Sequence, residues 1–310
     1  MSSAAVPRIK LHHRLEALAA RSVLALFRAL PPAAASTLGG TLARIIGTRL
    51  PVSRVADRNL RLALPALDAT ERKRIVAGVW ENLGRTVGEF PHLGRLRRDT
   101  PSGPGWEVRG GEILERQAAE GGPVLFCSAH IGNWEMLPAA VASFGLPFAS
   151  FYRAAGNPLV DAMIGALRRD AIGVEVPMFA KGQRGARAAL AYLLRGGSLG
   201  MLVDQKMNDG IEARLFGHPA MTAPALAAMA LRLRCPVIPG HVERIGPARL
   251  RLVVEPPIPL PDSGDRLADQ ARLTQNVNDV IERWIREKPE SWLWLHRRWP
   301  KDLLPNRAST

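Results

Sequence analysis

Six short apolar runs alternate with helix-patterned stretches across the middle of the chain, and this rhythm constrains the fold more than any other feature. The runs are PVLFCSA (123–129), LPFASFY (146–152), GVEVP (173–177), SLGMLVD (198–204), CPVIPGHVE (235–243) and LRLVVE (250–255). Helical periodicity fills the intervals 133–144, 157–170, 182–195 and 222–233. Strand, helix and strand repeated in this way read as βαβ units, and runs so uniformly apolar suit strands buried on both faces. Asn157-Pro158 marks one helix start, because asparagine caps and proline fits the first turn. Upstream, residues 11–95 read as helical, punctuated by Pro31-Pro32, Pro51, Pro65 and Pro91. Asp68 or Thr70 would cap a helix running toward Glu89. The turn-rich TPSGPG at 100–105 separates the two textures, and 265–299 returns to helix. The expectation is an α/β fold with a mixed, largely parallel sheet flanked by helices. It spans 51–310, with helices over 51–100, the α/β core over 106–258 and a helical end over 265–310, behind a basic segment 1–50.

That first segment carries the most informative charge. The 310 residues hold 42 Lys and Arg against 28 Asp and Glu, a net +14, so a partner of negative charge is expected. Residues 1–60 supply half of it: nine basic side chains (Arg8, Lys10, Arg14, Arg21, Arg28, Arg44, Arg49, Arg54, Arg58) against Glu16 and Asp57. In LEALAARSVLALFRAL these cations interleave with Leu15, Leu18, Leu26 and Phe27. That pattern suits a helix lying at an anionic bilayer surface, or one packed on its own domain. No run approaches the roughly 18 consecutive apolar residues of a spanning helix. Arginines and Pro31-Pro32 interrupt the apolar stretch, which argues against a cleaved signal peptide. With 5% aromatic residues and no groove-reading motif, a nucleic-acid partner is not expected. Cys127 and Cys235 are too few for a disulfide framework or a cysteine-built zinc site, so the chain reads as reduced and intracellular.

The sharpest local feature is LFCSAHIGNWEM, in which His130 leaves a buried strand and Glu135 follows a Gly132-Asn133 turn. On one continuous helix residues five apart sit about 140° apart; a turn removes that obstacle and lets the carboxylate fold back toward the ring. Ligands of α/β sheets bind at the carboxyl ends of strands, where His130 falls. In one reading Glu135 accepts one ring N–H and the other nitrogen takes a proton. In the other, His130 caps the strand and Glu135 merely favours a helix N-terminus. Ser128 or Cys127 as a nucleophile is a rival, but the Gly-flanked elbow of an exposed serine is missing. Metal binding by His130 lacks a second ligand pair.

Five ordered blocks then carry a resemblance: HIGNWE, FYRAAGNPLVD, GSLGMLVDQ, LFGHPAMTAPALAAMALRLRCPVIP and WLWLHRRWP. Together they resemble the bacterial lipid A biosynthesis acyltransferases (the lauroyl/myristoyl late acyltransferases) of the lysophospholipid acyltransferase superfamily, over roughly residues 80–300. One departure is Leu215-Phe216-Gly217, where the family often shows two aromatics. The resemblance implies transfer of a fatty chain from an acyl-acyl carrier protein to a hydroxyl of a lipid A precursor, at the cytoplasmic face of the inner membrane. It implies no metal or organic cofactor and no covalent acyl-enzyme. His130 would be the base and Glu135 its orienting acid, with backbone N–H groups around Gly132-Asn133 as candidate oxyanion donors. Arg153, Asn157, Asp204, Gln205 and Asn133 would line the substrate site. Arg153 has a structural alternative, a pair with Asp161 or Asp204; Asp204 could equally cap a loop, and Asn157 a helix. The tryptophans of 292–299 would rest at the membrane boundary or close a packed helix. Two further readings stand beside this one: acylation of another glycolipid or a lysophospholipid (such as a phosphatidylinositol mannoside), and a non-enzymatic basic membrane-binding protein.

Overall fold

The computed structural model describes residues 9–146, 148–152 and 154–304. Four helices come first: α1 (Leu11–Ala29), α2 (Pro32–Gly47), α3 (Ser53–Ala63) and α4 (Ala69–Glu89). The start of α4 follows from Asp68 and Glu71, which cap reciprocally: the Asp68 carboxylate accepts from Glu71 N at 2.8 Å and Glu71 Oε2 accepts from Asp68 N at 2.7 Å. Helices α2 and α4 lie so close that a Cβ on Gly39 would strike the Gly84 carbonyl, and one on Gly88 the Ala35 carbonyl. Small residues therefore set the spacing of this pair.

The remaining elements build the sheet and its covers: β1 (Gly105–Arg109), α5 (Gly111–Glu120), β2 (Val124–Ser128), α6 (Leu137–Ala142), β3 (Phe148–Tyr152), α7 (Pro158–Ile172), β4 (Met178–Ala180), α8 (Gln183–Leu193), β5 (Ser198–Leu202), β6 (Ile211–Leu215), β7 (His218–Thr222), α9 (Ala225–Leu233), β8 (Val237–Gly246), β9 (Arg249–Val254) and α10 (Arg266–Glu287). Seven strands form one sheet in the order β1-β9-β8-β2-β5-β3-β4. Every pair in it is parallel except β8 with β9, so the sheet is mixed and largely parallel, as expected. Leu125, Cys127 and Ala129 pack into the core on one face with α9 and α10. Val124 and Phe126 pack into the other with α5 and α6. Strand β2 is buried along its whole length, and its carboxyl end lies beside those of β5, β3 and β4 on one edge of the sheet.

Three expectations need correction. The run 173–177 is not a strand: Gly173 ends α7 in the left-handed region, and only Met178–Ala180 pairs at the sheet edge. The chain end is helical only to Glu287, because Pro289 opens a 3-10 turn and residues 292–304 form no regular helix. The periodicity also hid β1, α5 and the β6–β7 hairpin, whose Phe216 and Gly217 both have positive φ and form a tight turn. Among the described residues no helix is long and apolar enough to cross a membrane.

Candidate active site

Strand β2 delivers His130 to the carboxyl edge of the sheet, where its side chain is 16% exposed. One strand over, Val203 N donates to Ser128 O at 3.0 Å, extending the β2–β5 pairing and carrying Asp204 alongside. Asp204 is fully enclosed and its two oxygens accept three hydrogen bonds. Oδ1 accepts from His130 Nδ1 at 2.8 Å, while Oδ2 accepts from His130 N at 3.1 Å and from Trp292 Nε1 at 2.7 Å. Burial alone would raise the Asp204 pKa. The charge and hydrogen bond of His130, the nearby His296 and the Trp292 indole outweigh it and hold the group well below the usual carboxylate range. An ionised carboxylate only accepts, so Nδ1 carries a hydrogen in either state of the ring, and in the neutral imidazole it is Nε2 that holds the lone pair. Nε2 makes no hydrogen bond among the described residues.

The carboxylate that meets the His130 ring is Asp204, from 74 residues away in the chain, and not Glu135. Glu135 sits in a 3-10 turn, Trp134–Met136, and both its oxygens are occupied by Arg168 of α7. The contacts are Nε to Oε2 at 2.8 Å and Nη2 to Oε1 at 2.7 Å. Trp134 bridges the two groups, donating Nε1–H to Glu135 at 3.2 Å while its ring meets His130 edge-on at 5.3 Å. No hydrogen bond among the described residues joins Glu135 to His130.

Other expected site residues fall in several places. Asn133 is buried beneath the turn, with Nδ2 donating to Glu89 Oε2 at 2.7 Å. The Gly132 N–H, a candidate oxyanion donor, is engaged by Ser291 O at 3.0 Å. Asn157 caps α7, accepting from Leu159 N at 3.0 Å, and its Nδ2 ties that helix to His13 O and Glu16 of α1. Gln205 is half-buried immediately after Asp204. Arg153 lies outside the described residues.

The nucleophile rival finds no support in the geometry. Cys127 is buried and desolvation pushes its thiol up to about 12, far from a thiolate at neutral pH. Ser128 Oγ is buried and has no hydrogen-bond partner among the described residues. Among the described residues no group of three or more His, Cys, Asp or Glu side chains is placed to hold a metal ion.

Residues 292–299 form the floor of the site. Trp292, Trp294 and Trp299 are buried rather than set at a boundary. Leu293 N donates to His130 O at 3.0 Å, and Ile131 bridges to Trp292. His296 stacks edge-on against Trp292 at 5.2 Å, and burial lowers its pKa. Arg298 is enclosed with its guanidinium on Met221 O and Thr222 Oγ1, and burial lowers its pKa to about 10. Three tryptophans and a histidine within eight residues were the signal for this floor.

A family model described as bacterial lipid A biosynthesis acyltransferase matches residues 9–301. The chain is also similar to a lipid A biosynthesis acyltransferase of Haemophilus influenzae, 23% identical over 267 residues, covering 83% of this chain and 79% of the relative.

Proposed function

The chain belongs to the family of bacterial lipid A biosynthesis acyltransferases, and from that premise we propose that it moves a fatty acyl chain from an acyl-acyl carrier protein thioester to a hydroxyl of a lipid A precursor, with His130 as general base and Asp204 as its orienting acid. One observation carries the mechanism: a largely enclosed imidazole, its side chain 16% exposed, whose Nδ1 is bound to a buried carboxylate at 2.8 Å while Nε2 makes no hydrogen bond among the described residues. Nε2 takes the hydroxyl proton as the oxygen attacks the thioester carbonyl. The imidazolium so formed lies against the Asp204 charge. Collapse of the tetrahedral adduct breaks the carbon–sulfur bond, and the thiolate recovers the proton from Nε2. Ester and thiol are the products, the enzyme is regenerated without an acyl-enzyme, and no metal or organic cofactor enters the balance.

The surface suits these substrates. On α1, Leu11, Leu15, Leu18 and Leu26 are more than half exposed and fall within an arc of about 80° at 100° per residue. Arg14, Arg21 and Arg28, spaced by seven, run along one flank of that stripe. Leu42, Ile45 and Ile46 of α2 are also exposed. We place this double face on the anionic cytoplasmic leaflet of the inner membrane, with the helices lying on it. At the carboxyl edge of the sheet, the start of α8 presents exposed Arg184 and Arg187, and no acidic residue occurs between Glu175 and Asp204. That cationic rim fits an acidic carrier protein delivering its thioester.

The test is an in vitro assay of carrier-protein thioesters of several chain lengths against a lipid A precursor. Transfer by the wild-type chain that vanishes in His130→Ala, with lipid binding retained, is the expected result. Transfer unaffected by His130→Ala would overturn the mechanism, and transfer only to a lysophospholipid would replace the acceptor class.

A further inference from the structure

Beneath the His130 turn lies a buried polar cluster that the chemistry above does not use. Glu89, the last residue of α4, is completely enclosed, and five donors converge on its two oxygens. Oε1 accepts from Ser36 Oγ at 2.6 Å, Arg244 Nε at 3.0 Å and Ala248 N at 3.3 Å. Oε2 accepts from Arg244 Nη2 at 2.8 Å and Asn133 Nδ2 at 2.7 Å. These donors come from α2, from β8 and the turn after it, and from the turn that follows His130. The same side of α4 grips that turn again, since Asn82 Nδ2 and Thr86 Oγ1 both donate to Gly132 O, at 3.0 and 3.2 Å. Arg244 braces both of these residues, through Asn82 Oδ1 and Thr86 Oγ1. Gly132 itself has φ +57°, and any Cβ there would overlap the Val242 carbonyl oxygen, so the turn has little freedom to settle elsewhere.

We propose that Glu89, clamped by Arg244, is a positioning residue for acyl transfer: through Asn133 it fixes the turn that aims the His130 ring. The inference rests on the reading of His130 as general base. Only a carboxylate fits at position 89, because Arg244 donates to both oxygens and an amide would turn its own NH₂ against the guanidinium. A buried ion pair is weak evidence of stability by itself. Its link to Asn133, which follows the left-handed Gly132 and stands three residues from the base, is what points to catalysis. Misplacing a reacting group by about 1 Å can cost about 10²-fold in rate.

The experiment compares full-length wild type, Asn133→Ala, Glu89→Gln and the double variant with acyl-carrier-protein donor and lipid A precursor, with thermal unfolding recorded for each. Asn133→Ala leaves Glu89 four other donors and should fold normally, so it carries the test even if Glu89→Gln does not fold. The expected result is a fall in kcat of about 10- to 10²-fold for each single variant, with KM for both substrates nearly unchanged. The double variant should be no worse than the poorer single one, because both remove one linkage. The pH at which the acid limb of the kcat profile falls should stay where it is in wild type, since Asp204 still holds the ring. Variants with wild-type kcat, or losses that multiply in the double variant as independent structural damage would, overturn the proposal while leaving the general-base reading intact. A wild-type chain that transfers nothing overturns that reading and this proposal with it.

Discussion

Asp204→Asn isolates the contact on which the mechanism turns. The substitution keeps the volume of the side chain but replaces one acceptor oxygen by an NH₂ donor in a pocket where all three neighbouring groups donate: His130 N–H, His130 Nδ1–H and Trp292 Nε1–H. The amide can satisfy the backbone and the indole with its oxygen only if its NH₂ faces the imidazole. That reverses the tautomer, placing hydrogen on Nε2 and removing the base. The electrostatic loss is of similar size. In wild type, the imidazolium formed during attack lies beside a full carboxylate charge; with charge centres about 4 Å apart and an effective dielectric near 20, the attraction is roughly 4 kcal/mol. At about 1.4 kcal/mol per decade this corresponds to about 10³-fold in rate, inside the 10²–10⁴ range usual for general-base assistance. The prediction is a fall in kcat of about 10³-fold with KM for donor and acceptor little changed, because Asp204 is buried and reaches substrate only through the ring. The assay is product formation followed by mass spectrometry at saturating substrates, with His130→Ala as the floor. An Asp204→Asn variant keeping more than roughly a tenth of wild-type kcat would refute the reasoning, and would direct attention to Glu135 released from Arg168 as the working partner.

Further outcomes follow from other parts of the molecule. Replacing Arg14, Arg21 and Arg28 together by glutamine should weaken sedimentation with anionic vesicles by about 10²-fold, at roughly 1 kcal/mol per arginine, without lowering Tm. Arg184→Glu with Arg187→Glu should raise KM for the acyl carrier protein at low salt, leave kcat alone, and lose its effect as ionic strength rises. Gly132→Ala, forced to φ +57° with its methyl against the Val242 carbonyl, should lower Tm measurably and abolish transfer. Asp204 and Glu89 both have folded pKa values below the ordinary one, so below that value the unfolded chain binds more protons than the folded one. The stability they contribute is complete above about pH 5 and is lost as pH falls through the lowered folded values. Unfolding midpoints from pH 7 down to pH 3 should decline accordingly, and less steeply in Asp204→Asn.

Much of the fold was legible because its determinants are local. Five of the six apolar runs contain or overlap strands of the main sheet, and Asp68, Asn157 and Pro158 mark helix starts by chemistry that acts within three residues. What escaped depends on partners distant in the chain. Strand β1 reads as a turn-flanked fragment until β9 lies beside it. The hairpin β6–β7 lacks the asparagine-glycine signature and puts a phenylalanine at positive φ instead. Residues 292–299 have the composition of a boundary helix, but Pro289 stops α10 and the rings turn inward, Trp292 onto Asp204.

The same distinction explains the exchange of carboxylates at the centre. Glu135 was conspicuous because it stands five positions from His130, yet nearness in sequence says nothing about which way a side chain leaves a 3-10 turn. Here it leaves toward Arg168, and the pair it makes with α7 uses both oxygens. Asp204, at the end of another strand, was legible as a substrate-lining residue or a loop cap and not as the partner of His130. Its partnership with His130 exists because β2 and β5 are parallel neighbours in register, Ser128 beside Leu202, so that residues just past their ends must meet. Topology thus makes a contact that no local motif contains, and Trp292 closes it from 88 residues farther on. A histidine held in this way depends on the sheet being correctly assembled. Variants that shift the β2–β5 register should lose transfer before they lose secondary structure, whereas variants confined to α1 should lose the membrane and keep the chemistry.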